Sequence, residues 1–293
     1  MKRRLKKRVK RLLLGQRLGA ENVAWVFGSE RTGSTWLGRM MSEVPGHAWW
    51  NEPLIGFLFG EFHTRMGPYH EHDRADDFIF GANHRASWTR SVANFVLEEA
   101  NARYPESRFV VIKEPNGSIG APLLSRAMPE SRMILLVRDP RDAVASSLAS
   151  HQKNGWLYKK VGEEARSTWG ADENPDTFVE GRANFYAANV GSAKEAYATH
   201  PGPKTILRYE DLRSDTLASM RRLYAETKVP VEESVLVRAV EKHAWENIPE
   251  GQKGEGAFNR KGEVGSWRED LTPEQARIVE RITKPLLERF YPG

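Results

Sequence analysis

Ala24-Trp25-Val26-Phe27-Gly28-Ser29-Glu30-Arg31-Thr32-Gly33-Ser34-Thr35-Trp36 is the stretch on which the fold turns. Its first four residues form an apolar run, Ala24–Phe27, of the kind expected in a strand buried on both faces. A glycine-bearing turn follows, and the hydroxyl pair Ser34-Thr35 opens a helix expected over Thr35–Glu43. Gly28 and Gly33 stand in the frame of a nucleotide phosphate loop, where glycine lets backbone N–H groups approach an anion and the helix N-terminus adds a favourable dipole. The lysine of an ATP-binding loop belongs where Ser34 stands, which argues against ATP or GTP hydrolysis. The cation sits earlier, at Arg31, placed to face the leaving phosphate of a different donor, and Trp36 is placed to stack on a base. On these residues alone, a strand–turn–helix with incidental glycines explains the segment equally well.

Three further apolar runs, Phe109–Ile112, Met133–Val137 and Thr205–Leu207, read as strands of the same kind. Helical patterns separate them: Trp88–Asn101, Arg141–Ser150, Gly181–Thr199, Thr216–Glu226 and Val231–Lys242. A last helix begins at Thr272-Pro273-Glu274-Gln275, where Thr caps, Pro suits the first turn and Gln completes a capping box. Strands alternating with helices give an α/β class. The expected architecture is a P-loop-like three-layer fold, with a central, mostly parallel sheet of about four to five strands between helices. Residues 21–293 are read as one domain behind a tail, residues 1–20. Two stretches, Gly56–Ala86 and Glu250–Glu269, read as irregular and hence as lids or binding loops.

Charge divides unevenly. The net charge is +5, yet residues 1–20 alone hold four Lys and five Arg with no acid, leaving the remainder at −4. The folded part is therefore a poor nucleic-acid surface. Leu5, Val9, Leu12 and Leu13 fall at helical spacing among the basic residues, which fits a helix on an anionic membrane and equally a solvated basic arm. There is no cysteine, so disulfides, thiolate metal sites and a cysteine nucleophile are excluded. No apolar run approaches the ~18 residues a spanning helix needs. A cytoplasmic location is the expectation, peripheral to a membrane if the tail engages one.

At Arg31-Thr32-Gly33-Ser34-Thr35-Trp36 the chain resembles the 5'-phosphosulfate loop of sulfotransferases that use 3'-phosphoadenylyl sulfate (PAPS). A second match is Arg138-Asp139-Pro140-Arg141-Asp142-Ala143-Val144-Ala145-Ser146, entering a helix after a buried strand. The resemblance implies that Arg138 and Ser146 hold the 3'-phosphate; an Arg fork and a hydroxyl further along a helix suit one phosphate. Pairing of Arg138 with Asp139 or Asp142 is the plain alternative. A third match, Arg260-Lys261-Gly262 with Gly265 and Trp267 beyond, resembles the segment that closes over the same phosphate, against a solvated basic loop. Tyr209 and Trp245 echo the family's contacts to adenine, though either fits a core. The motifs occur in the family's order and cover nearly the whole chain after the tail. The resemblance implies PAPS as co-substrate, no metal, and release of 3'-phosphoadenosine 5'-phosphate (PAP).

For the chemistry, Arg31 and Lys113 are expected to stabilise charge on the leaving phosphate. The cytosolic members carry a His as base near Lys113; here Glu114 follows the lysine and no His is near. The base is then Glu52, in Asn51-Glu52-Pro53, or Glu114, with Glu52 preferred and His84 third; each also has a structural explanation, as a turn cap, an ion pair or a solvated loop residue. Gly56–Ala86 and residues 151–180 are expected to shape the acceptor pocket through Phe57, Phe59, Phe62, Tyr69, Trp156, Tyr158 and Trp169. A small-molecule acceptor is expected, with a carbohydrate or glycolipid favoured. The rivals are a phosphate-loop kinase acting on a small molecule and a non-catalytic nucleotide-binding module.

Overall fold

β1 (Val23–Phe27) lies between two neighbours and has no exposed residue. Its side chains alternate: Val23, Trp25 and Phe27 enter one apolar layer, Ala24 and Val26 the other. That double burial is why the strand is continuously apolar, and each fully buried Val or Phe contributes about 1.5–3 kcal/mol. The chain is seen in a computed structural model that describes residues 17–70, 77–161 and 170–292. Most of the basic tail thus lies outside the described residues.

The sheet has five strands, all parallel, in the order β2-β3-β1-β4-β5, where β2 is His47–Asn51, β3 Phe109–Lys113, β4 Arg132–Val137 and β5 Lys204–Arg208. Helices cover both faces. On one lie α1 (Ser34–Ser42) through Leu37, Met40 and Met41, with Thr216–Thr227 and Glu233–Lys242. On the other lie α2 (Arg85–Arg103), through Val92, Val96 and Ala100, and the C-terminal Pro273–Phe290 through Leu286 and Phe290. α3 (Pro140–His151) packs with Pro175–Thr199 and the C-terminal helix in a third apolar cluster. The capping box at Thr272 forms as expected: Gln275 N–H donates to Thr272 Oγ1 at 3.2 Å, and Thr272 N–H to Gln275 Oε1 at 3.1 Å.

Several elements escape the sequence reading, among them an edge strand and two helical segments. β2 lies at the sheet edge, pairing with β3 alone, and most of it is only half-buried. Within Gly56–Ala86, Gly56–Glu61 winds as a π-helix and Phe62–His70 as an α-helix. Gly56 and Gly60 permit this by lying against the Pro115–Gly120 turn, where a Cβ on Gly60 would sit 2.0 Å from Gly120 Cα.

Tail and body meet at Leu18, which is buried in the larger core layer and exchanges hydrogen bonds with the Asn101 side chain at 3.0 and 3.1 Å. Among the described residues, no helix is long and apolar enough to cross a membrane.

Candidate active site

The strand order puts β1 between β3 and β4, so the loops leaving their C-terminal ends converge. They enclose a cavity of about 460 Å³. Its lining carries eight Lys or Arg against two Glu, a surplus of positive charge that suits a polyanion.

The loop after β1 supplies Arg31, Gly33, Ser34, Thr35 and Trp36 to this lining. Gly33 adopts φ 88° beneath the Tyr209 ring, and a Cβ there would meet Tyr209 Cδ2 at 2.6 Å, so only glycine fits. Thr32 turns inward instead: it is fully buried and its hydroxyl donates to Ser29 O at 2.8 Å. Arg31 also has left-handed backbone, at φ 61°, which costs a non-glycine residue about 1–2 kcal/mol. Its Nε donates to Ser146 Oγ at 3.0 Å, and its guanidinium lies over Trp156 and Phe258 at 5.5 and 5.1 Å. Burial pushes the Arg31 pKa down to about 10; Glu30 and Tyr209 oppose this, while Arg138 and Arg260 add repulsion. Like charges held together await an anion.

Arg138, at the exit of β4, braces two loops. It donates to Arg31 O at 3.1 Å and to Glu263 O at 3.0 Å, with its guanidinium 4.3 Å from the Tyr209 ring centroid. Its Nε is buried and has no hydrogen-bond partner in the protein, as is true of Asn116 Oδ1, also in the cavity wall. An orphaned buried donor fits an absent phosphate oxygen. The alternative pairing of Arg138 with Asp139 or Asp142 is not what forms: Asp139 binds Arg141, and Asp142 accepts the N–H groups of Gly265 and Trp267 at 2.7 and 3.0 Å.

That last contact pins the C-terminal loop over the cavity. Gly262 takes φ 65°, with no room for a Cβ beside the Trp245 ring, and its carbonyl accepts from Tyr209 Oη and Arg213 Nε at 3.2 and 3.0 Å. Trp36, Tyr209 and Trp245 all reach the cavity; Trp36 Nε1 donates to His243 O at 2.8 Å, and the Trp36 and Tyr209 centroids are 6.3 Å apart. Three rings on separate segments suit a purine. Arg260 and Lys261 line the same space but are already engaged, Arg260 in a fork with Asp270, and Lys261 with Asp270 at 3.1 Å and Glu269 at 2.9 Å.

Beside Arg31 stands the ion pair of Lys113 and Glu52. Lys113 ends β3 and is only 4% exposed; burial lowers its pKa, with Glu52 pulling the other way. Glu52 has left-handed backbone at φ 50°, and its N–H donates to Lys113 O at 2.9 Å. Side chain and backbone thus fix the carboxylate twice, at a strained turn beside the cavity. Glu114 points elsewhere: fully buried, it accepts from Gly56 N–H at 3.1 Å and is absent from the lining. His84 lies exposed before α2, away from the lining. Of the aromatics expected around an acceptor, Trp156 lines the cavity, and Phe57 and Phe62 are exposed. Phe59 packs on the core, while Trp169 lies outside the described residues.

Some residues of the site carried no sequence signal. Asp142 and Asp270 are anchors visible only once the loop is placed. Glu30 is held by Arg182 at 3.1 Å and Ser147 at 2.5 Å, and His151 lines the cavity from α3. Arg213, four residues after Tyr209, was within reach of a helical-spacing argument.

A model of the sulfotransferase domain matches residues 21–291. Cytosolic sulfotransferases 17 and 16 of Arabidopsis thaliana are 28% and 26% identical. The first match spans 56% of this chain and 52% of that protein, the second 84% of each. Among solved structures, mouse sulfotransferase SULT7A1 complexed with PAP superposes at TM-score 0.60 and 15% identity, over 94% of this chain and 88% of that one. Sulfotransferase STF9 from Mycobacterium avium superposes at 0.53 and 17% identity, over 94% and 78%. These structures bear on the fold.

Proposed function

The chain belongs to the sulfotransferase domain family, and from that premise we propose that it moves a sulfuryl group from PAPS to an acceptor hydroxyl by in-line displacement. Membership sets aside the phosphoryl-transfer alternative. One observation carries the reading. Arg31, Arg138, Arg260 and Lys261, from three separate segments, line one cavity with Trp36, Tyr209 and Trp245. A doubly phosphorylated adenosine matches that set: rings for the base, and separate cationic groups for its two phosphate ends.

The donor, when bound, supplies an electrophilic sulfur and a phosphate leaving group. The protein's task is alignment and charge stabilisation. Gly33, Ser34 and Thr35 offer backbone N–H groups and the α1 dipole to the 5' end, and Arg138 with Arg260 and Lys261 holds the 3'-phosphate. Arg31 and Lys113 receive the negative charge that appears on the leaving phosphate oxygen. Glu52 takes the acceptor proton as the acceptor oxygen–sulfur bond forms, a contribution of about 10²–10⁴-fold. Glu114 acts behind it, fixing the Gly56 amide. A carbohydrate or glycolipid is the favoured acceptor; the mixed polar and aromatic wall at Trp156, Asn116 and Ser150 supports a sugar face.

Incubation with radiosulfate-labelled PAPS and fractionated polar and lipid extracts tests the reaction directly, and a labelled product is expected. Arg138→Ala and Lys261→Ala should each weaken PAP binding measured by calorimetry while the fold stays intact. Unchanged affinity in both would refute the donor assignment.

A further inference from the structure

The large apolar side chains left exposed in this fold are not scattered. Leu54, Phe57, Leu58, Phe62, Ile79 and Phe95 make up six of the eight such residues in the described chain. The backbone explains the arrangement. Gly56 and Gly60 are the inward positions of the Gly56–Glu61 turn, and a Cβ at Gly56 would stand 2.1 Å from Gly117 O. With the small residues inward, Phe57 and Leu58 turn out, to 50% and 60% exposure. Ring contacts continue the face, from Phe62 to Phe78 at 5.8 Å and to Phe80 at 6.2 Å, and from Phe59 to Phe95 at 5.4 Å. Contiguous apolar surface of this kind marks a contact with something.

Its surroundings say with what. Leu54 stands two residues after Glu52, which lines the cavity, so the face continues along the chain from the candidate base. The described chain begins close by: Arg17 pairs with Glu98 at 2.6 Å, and Glu98 is three residues along α2 from Phe95, hence on the same side of that helix. The residues before Arg17 include eight Lys or Arg and no Asp or Glu, with Leu5, Val9, Leu12 and Leu13 among them. Apolar side chains next to a dense, purely cationic segment match an anionic lipid surface, whose headgroups attract the cations while the acyl boundary accepts the rings.

We propose that this apolar face and the basic segment 1–16 together dock the protein on an anionic bilayer, so that an acceptor carried in that bilayer meets Glu52 from the membrane side. The acceptor half rests on the sulfuryl-transfer reading; the docking half stands without it.

The test is co-sedimentation of the full chain with vesicles of phosphatidylcholine alone, or of phosphatidylcholine and phosphatidylglycerol in equal parts. Binding is expected to the anionic vesicles and to fall about tenfold in L58S/I79S, whose two side chains are 60% and 68% exposed. PAP calorimetry on the same variant should match the unchanged chain, showing an intact fold and donor site. Unchanged vesicle binding in L58S/I79S would overturn the proposal, as would equal binding to both vesicle types. So would self-association of the unchanged chain that the variant abolishes, which would give the face to a second copy. Absence of PAP binding in the unchanged chain would instead sink the reaction reading and leave vesicle binding to judge the docking.

Discussion

Asp270 occupies the cations to which the proposed function assigns a 3'-phosphate. Its carboxylate forks onto Arg260 and reaches Lys261 Nζ at 3.1 Å, with Glu269 on the same lysine at 2.9 Å. Burial alone would raise the Asp270 pKa, but the hydrogen bonds from Arg260 and Lys261 lower it overall, so the group is a true anion at neutral pH. A phosphate brought to these cations then sits near a fixed negative charge. At about 6 Å and an effective dielectric of about 20, two unit charges repel by about 2.8 kcal/mol. Partial exposure and salt reduce that to roughly 1–2 kcal/mol. Asp270→Asn keeps one acceptor for Arg260 while removing the charge, so PAP should bind about 5–30-fold more tightly. The gain should shrink as ionic strength rises, because it is electrostatic. Calorimetric titration with PAP at two salt concentrations reads both effects. Affinity that is unchanged or weaker in Asp270→Asn would refute the competition and make Asp270 a support that presets Arg260.

Glu52→Gln should cut turnover by about 10²–10⁴-fold in the labelled-donor assay with PAP affinity nearly unchanged; near-normal turnover would move the base elsewhere. Burial pushes the Glu114 carboxyl up to about 8 from a usual value of 4.5, so the folded chain keeps a proton that the unfolded chain releases. Stability from this group is full below about pH 4.5 and declines as pH climbs to about 8; Glu114→Gln should flatten that decline in urea midpoints across the window. An identical slope in the variant would show that Glu114 is not the group responsible. Gly33→Ala drives a Cβ into the Tyr209 ring and holds alanine at φ 88°. It should lower the melting temperature and weaken PAP binding together, at a backbone cost of about 1–2 kcal/mol; a fully stable, fully binding variant would count against the loop geometry.

β1, β3 and β4 were legible because burial on both faces leaves a continuous apolar run, and a run needs no knowledge of its neighbours; β5, an edge strand that alternates half-buried and buried residues, was legible only through its short Thr205–Leu207 segment. β2 was not. His47-Ala48-Trp49-Trp50-Asn51 is an edge strand, and its polar ends look like loop; only placement shows His47 desolvated, its pKa pushed down to about 4. The π-helix was equally hidden, since it depends on Gly56 and Gly60 meeting residues near Gly117 and Gly120. For the site, the phosphate-loop glycines and Arg31 suggested an anion site through local spacing, but that spacing alone left a plain strand–turn–helix equally open. Arg138, Tyr209, Trp245 and Lys261 had meaning in sequence only through a family resemblance, because one ligand-sized space gathers them from distant segments. Asp142 and Asp270 could not be foreseen: a carboxylate that accepts backbone N–H groups across the fold, as Asp142 does, or one that forks onto a loop arginine, as Asp270 does, looks, in sequence, like any surface acid.

Asp142 has one more implication. It fastens the loop at Gly265 and Trp267 to the helix that also carries Ser146, so those parts travel as one rigid piece. Upstream, Phe258 is held against Arg31 and Trp156, while residues 250–252 before it close in short-range turns such as Gln252 N–H to Pro249 O at 2.8 Å. Change within residues 250–252 leaves both the Asp142 fastening and the Phe258 contact with Arg31 in place, so that short arc tolerates alteration which the fastened loop does not.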